Sequence, residues 1–101
     1  MVKLTWTPQA LHDVEVICDL IAEDSGQYAR FFANKVFSIA ERIEEFPESG
    51  RIVPEVDQPN IREVILGNYR IIYRLLEAEI QILTVYHSAR LLRLDQLKEE
   101  L

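Results

Sequence analysis

A chain of 101 residues, 49% apolar and 28% charged, has the size and composition of one globular domain with a single core. Its net charge of −6 excludes the strongly basic composition of a general nucleic-acid binder, whose affinity comes from phosphate neutralisation. One cysteine, Cys18, excludes an internal disulfide framework, and no apolar run approaches the roughly 20 residues that span a bilayer. The opening MVKLTWTP is too short and polar for a signal peptide, so the cytoplasm is the expected compartment.

Val2 to Trp6 alternates apolar and polar residues and predicts a short strand. Thr7-Pro8 then starts a helix, because Thr caps free N–H groups and Pro is tolerated at the first helical position. That helix is expected to run to about Asp24, with a core stripe of Ala10, Leu11, Val14, Ile17, Cys18 and Ile21. Ser25-Gly26 breaks it. A second helix from near Gln27 aligns Tyr28, Phe32, Val36, Ile39, Ala40, Ile43 and Phe46 on one face. The short break predicts an antiparallel helical hairpin. Neither helix is stable alone in water, so each needs its apolar face covered.

Phe46-Pro-Glu-Ser-Gly-Arg51 ends the second helix, and the segment to Asn60, with Pro54 and Pro59, reads as an ordered loop. Ile61 to Arg90 then reads as three strands rich in Val, Ile, Tyr and Thr. Gly67-Asn68 supplies the positive φ of a two-residue hairpin turn, and Leu76-Glu77-Ala78-Glu79 forms the weaker second turn. Parity puts Tyr69, Ile71, Tyr73 and Leu75 on a face against the helices, and Arg70, Ile72 and Arg74 on the open face. On the last strand Ile80, Ile82, Thr84 and Tyr86 alternate with Gln81, Leu83, Val85 and His87. This strand is apolar on both faces, which predicts a central or covered position. After Arg90, Leu94, Leu97 and Leu101 at helical spacing leave a short terminal helix or a tail open.

Charge is unevenly distributed. Residues 1–50 carry four bases against nine acids, whereas residues 61–93 carry five arginines against three glutamates. Arg62, Arg70, Arg74, His87 and Arg90 on the sheet are therefore the candidates for contacting a target. Each has a plainer reading. The three strand arginines can pair with Glu63, Glu77 or Glu79, and His87 can hydrogen-bond at a strand end. Tyr69 and Tyr73 read as core, Arg51 as fixing the loop after Phe46-Pro47, and Cys18 as an inert core residue. His12, His87 and Cys18 stand at no metal-ligand spacing, and three scattered glycines make no phosphate loop, so no metal or other cofactor is expected.

Strand, helix, helix, Phe46-Pro-Glu-Ser-Gly-Arg51, Arg62-Glu63, Tyr69-Arg-Ile-Ile-Tyr73 and Val85-Tyr-His-Ser-Ala-Arg90 follow one another in order. From Leu4 to about Leu92 this set resembles the ParE/RelE toxin superfamily of bacterial type II toxin–antitoxin systems. The resemblance implies an α+β fold: a strand, a helical hairpin and three further strands (β-α-α-β-β-β), with the hairpin packed on a mainly antiparallel sheet. It also implies a cognate, ParD-like antitoxin that wraps the toxin. RelE-like members cut mRNA on the ribosome, chemistry that wants a base, cationic clamps and an acid. Arg70 and Arg90 sit where two RelE-type arginines would, with His87 and Glu63 as a possible acid–base set. The sheet nevertheless has no lysine, and no tyrosine follows His87. The two long helices, the Phe-Pro…Gly-Arg turn and the Val-x-His-x-x-Arg ending resemble the ParE-like branch better. That branch implies inhibition of DNA gyrase by binding. A RelE-like mRNA endoribonuclease and a degenerate, non-toxic binding module are the alternatives.

Val16, Leu20 and Phe37 fall off the helix stripes. A helix apolar on two faces is covered on both or binds a partner. The terminal leucines, an antitoxin segment or a second copy of the chain can cover these three, and the resemblance favours the antitoxin.

Overall fold

The computed structural model describes residues 2–87, and the order of elements follows the sequence expectation with one addition. Strand β1 (Lys3–Trp6) is followed by helices α1 (Pro8–Ala22) and α2 (Gly26–Glu45). Strands β2 (Arg51–Ile52), β3 (Ile61–Leu66), β4 (Tyr69–Leu75) and β5 (Glu79–His87) complete the sheet. The added element is β2, two residues inside the segment expected to be loop, paired antiparallel to β3. The sheet order is β1-β5-β4-β3-β2, so β5 is internal, as its apolar character on both faces requires. Among the described residues only the β1–β5 pair is parallel, and the chain joins those two strands through the helical hairpin and then β2, β3 and β4. Arg90 and the expected terminal helix or tail lie outside the described residues.

Local chemistry sets the joints. Thr7 caps α1, its hydroxyl accepting from the Ala10 N–H at 3.1 Å, with Pro8 at the helix start. Ser25 caps α2 by accepting from the Tyr28 N–H. Gly67 carries a φ of +57° in the β3–β4 turn, and Leu66 pairs directly with Tyr69, as a two-residue hairpin demands.

The sheet separates two apolar layers. On the helix side, Ala10, Val14, Phe32, Val36 and Ile43 pack on Ile71, Tyr73, Ile80, Ile82 and Val85. On the far side, Val53, Ile61, Ile72 and Leu83 form a second, smaller cluster beneath the segment 53–60, with Val56 and Tyr86 against it. The face of β4 expected to be open is thus covered: Ile72 is fully buried and Arg70 nearly so. Parity on β5 also needs correction. The β4–β5 register slips between Ile72 and Tyr73, leaving Leu83 as an extra residue. One inserted residue reverses the alternation beyond it. Val85 accordingly joins Ile80 and Ile82 on the helix side, and Tyr86 joins Leu83 on the other.

The helix stripes are narrower than expected. Ala29, Phe32, Val36, Ala40 and Ile43 are buried on α2, whereas Tyr28 is 68% exposed and Phe46 is also exposed. Leu11 on α1 is exposed too. These three lie at the rims of their stripes, beyond the width that the sheet covers.

Beyond Trp6, β5 loses its strand neighbour, and α1 supplies the missing hydrogen bonds. The Thr7 N–H donates to the Ile82 carbonyl at 3.1 Å, and its hydroxyl proton lies between the carbonyls of Ile82 (2.9 Å) and Leu83 (3.0 Å). Asp13 Oδ2 accepts from Thr84 Oγ1 at 2.5 Å and from the Val85 N–H at 3.2 Å. Removing a charged acceptor orphans both donors. Asp13→Ala should therefore cost about 1.5–3 kcal/mol, read as a lower midpoint in thermal or urea unfolding. An unchanged midpoint would mean that water replaces the carboxylate.

Candidate functional site

Arg51 of β2 and Arg70 of β4 converge on a buried carboxylate. Glu63, mid-way along β3, points to the far side of the sheet, and its side chain is fully buried. A carboxylate there is tolerated only if paired and hydrogen-bonded. Arg51 on β2 donates from Nε to Glu63 Oε2 at 2.5 Å. Arg70 on β4 donates to Glu63 Oε1 from Nε at 2.7 Å, and its Nη2 lies 2.5 Å from the same oxygen as an ion pair. Arg70 then grips Glu55 in the covering segment with both terminal nitrogens, Nη1 to Oε2 at 2.7 Å and Nη2 to Oε1 at 2.9 Å. This bidentate fork is the strong form of the arginine–carboxylate pair.

Four charges cancel in this cluster, and the Arg70 side chain is left 8% exposed. The fork to Glu55, aided by Glu63, holds the Arg70 guanidinium above its ordinary pKa despite burial. The same hydrogen bond from Arg70 holds Glu55 below the usual carboxylate range, outweighing its own desolvation. Arg70 thus ties the segment 53–60 to the sheet, with the second apolar cluster beneath.

The other expected target contacts have structural partners. Arg62 donates to three backbone carbonyls: Pro59 at 3.0 Å from Nε, and Gly50 at 3.0 Å and Glu48 at 3.3 Å from Nη1. It joins the turn after α2 to the loop before β3. Arg74 donates from Nε to Gln81 Oε1 at 3.1 Å, its cross-strand neighbour, and a second bond runs from Nη2 to the same oxygen. The His87 ring meets Tyr69 edge-on at 5.1 Å, and Tyr69 meets Phe32 at 5.0 Å. His87 is therefore on the helix side while Glu63 and Arg70 are on the far side, so Glu63 and His87 are not brought together. Arg90 lies outside the described residues.

Two parts of this arrangement were missing from the sequence reading. Glu55 stands in a Pro-flanked loop with no periodicity, so nothing in the sequence assigns it to Arg70. Tyr73 was expected in the core, and its ring is fully buried. Its hydroxyl does more: it donates to the Pro47 carbonyl at 2.8 Å and accepts from the Gly50 N–H at 2.9 Å. Burial raises the phenol pKa and keeps the donor proton in place. The Phe46-to-Arg51 turn is thus built around Tyr73.

Val16 and Leu20 are exposed on α1. Phe37 is 43% exposed, and its ring packs on Trp6 of β1 at 5.2 Å, so a charge at position 37 would also disturb the β1 edge. Among the described residues, no group of three His, Cys, Asp or Glu side chains is placed to hold a metal ion.

Comparison with known proteins adds three findings. Residues 4–92 match the family model described as ParE toxin of the type II toxin–antitoxin system parDE. The chain is 32% identical over 92 residues to Toxin RelE2 of Caulobacter vibrioides, covering 90% of this chain and 100% of that protein. Its fold is similar to that of a solved chain from the chromosomal ParDE toxin–antitoxin system of P. aeruginosa. The TM-score is 0.73 at 23% identity, over 86% of this chain and 96% of the other.

Proposed function

The chain belongs to the ParE/RelE toxin superfamily of type II toxin–antitoxin systems, and on that premise we propose that it acts by binding a protein target rather than by cutting RNA. The target is DNA gyrase, and a cognate antitoxin neutralises the toxin. The observation that carries this reading is the state of Arg70. A cation that clamps a scissile phosphate must present its N–H groups to solvent. Arg70 instead spends its fork on Glu55 and Glu63, inside the sheet's covered face. A phosphate approaching it would meet those two carboxylates first. Glu63 and His87 face opposite sides of the sheet, so among the described residues that acid–base set is not assembled at Arg70. The acidic total charge supports the same reading, because a nuclease working on the ribosome must approach dense phosphate.

The test is a gyrase supercoiling and cleavage assay with purified, folded protein. Inhibition relieved by the antitoxin is the expected result. Intact gyrase activity together with cleaved mRNA in a translation extract would overturn the proposal and return Arg70 and His87 to a catalytic role.

A further inference from the structure

The two flanks of α2 differ sharply. At about 100° per residue, Ala29 and Phe37 fall on one flank. The Cys18 thiol reaches the Ala29 carbonyl at 3.8 Å, and Trp6 packs on Phe37, so this flank faces α1 and β1. Tyr28, Phe31, Lys35, Ser38 and Arg42 fall on the opposite flank, in steps of three and four residues, and Phe46 continues them at the helix end. Tyr28, Phe31 and Phe46 are each more than half exposed. The Tyr28 and Phe31 rings meet edge-on at 6.3 Å. Lys35 Nζ lies 5.8 Å from the Phe31 ring centre, and the Arg42 guanidinium carbon lies 5.8 Å from that of Phe46. Neither cation forms an ion pair among the described residues.

Charge is segregated here. Residues 1–50 carry nine acids, yet none falls between Tyr28 and Arg42 on this stripe, and Glu45 enters it only beyond Arg42, beside Phe46. Two cations seated on exposed aromatic rings, two helical turns apart, form an apolar strip with two positive points about 10.5 Å from each other. An exposed aromatic strip with cations seated on its rings has the composition of a protein–protein contact surface.

We propose that this outer flank of α2 binds the antitoxin, and that the segment it binds is amphipathic, with aliphatic side chains set on Tyr28, Phe31 and Phe46 and carboxylates meeting Lys35 and Arg42. The inference rests on the toxin–antitoxin reading and specifies the chemistry of that partner. It places the interface away from Val16, Leu20 and Phe37. Phe37 is occupied by Trp6, and the other two carry no cation beside them.

The test is calorimetric titration of this chain with the protein encoded beside it, using three single charge reversals of equal net effect. Lys35→Glu and Arg42→Glu should each weaken binding about 10-fold, since like charges now face one another. Arg30→Glu, on the opposite side of α2, should stay within about twofold. Phe31→Ala should weaken binding without moving the thermal midpoint, because the ring is exposed. Three results would overturn the inference while leaving the antitoxin reading intact: equal weakening by Arg30→Glu and Lys35→Glu, no effect of either flank reversal, or weakening by Leu20→Glu alone. Absence of binding by the unaltered chain would overturn both.

Discussion

Replacing Glu63 by Ala should destabilise the protein by about 3–5 kcal/mol, because it strands the Arg70 guanidinium without one of its two carboxylates under the segment 53–60. The reasoning is about desolvation more than attraction. Arg70 has already lost its water, and only the fork to Glu55 and the bonds to Glu63 compensate. Arg70→Ala should cost a comparable amount, because it leaves the fully buried Glu63 carboxylate with Arg51 alone. The double variant Glu63→Leu/Arg70→Met should cost less than either single change. It removes both buried charges at once and extends the apolar cluster of Val53, Ile61, Ile72 and Leu83, while Arg51 and Glu55 are exposed enough to rehydrate. Urea unfolding of the four proteins checks this; a double variant worse than both singles would mean that the pair contributes net attraction. The functional corollary is direct. If Arg70 is structural, the folded double variant keeps its target inhibition, whereas a catalytic Arg70 would be lost with it.

The same cluster gives a pH signature. Glu55 has its folded pKa depressed below the ordinary value of 4.5 by Arg70. Its contribution is therefore complete above the unfolded pKa and is lost as pH falls through the folded value. Against Glu55→Gln, the stability advantage of the unaltered chain should be constant near neutrality and shrink below about pH 4.5.

Much of this architecture is written in local patterns. The alternation of Tyr69 to Leu75, the Gly67 turn and the Thr7 and Ser25 caps are each decided within a few residues, and the structure follows them. The departures have non-local causes. Leu83 is an extra residue only relative to Tyr73 on another strand, so no periodicity within β5 can reveal the reversal that moves Val85 and Tyr86. Tyr28 and Phe46 share the helical spacing of the core stripe, but the limit of that stripe is set by how far the sheet extends beneath α2. Of the arginine cluster, the cross-strand pairing of Arg70 with Glu63 was legible, whereas Arg51 was expected only to fix its loop. The cluster was not legible as a closed network, because Glu55 reaches Arg70 only after the segment 53–60 folds across the sheet. Residue type and parity reveal which charges share a face; they do not reveal what covers it.

Gly50→Ala should be the second severe substitution, costing about 3 kcal/mol or more, although Gly50 requires no left-handed backbone. The reason is close approach. A Cβ at position 50 would stand 2.6 Å from the Tyr73 hydroxyl, 2.7 Å from the Glu63 carbonyl oxygen and 2.8 Å from Tyr73 Cε1. None of these can retreat cheaply. The Tyr73 ring is fixed in the core and its hydroxyl is bonded on both sides, to Pro47 and Gly50. The Glu63 carbonyl belongs to the sheet backbone, between β2 and β4. Displacing the turn instead would pull Gly50 and Glu48 from Arg62 and draw Arg51 away from Glu63, coupling the change to the charge cluster. Tyr73→Phe separates the two effects. Alone it orphans the Gly50 N–H and the Pro47 carbonyl, at about 1–3 kcal/mol. In that background Gly50→Ala should be cheaper by about 1 kcal/mol, because one of the three clashes is gone and the hydrogen bond it would break is already absent. Additive losses in the double-mutant cycle would place the obstruction at the Glu63 backbone rather than at the phenol, and would make the Phe46–Arg51 turn an outgrowth of the sheet edge instead of a structure assembled on Tyr73.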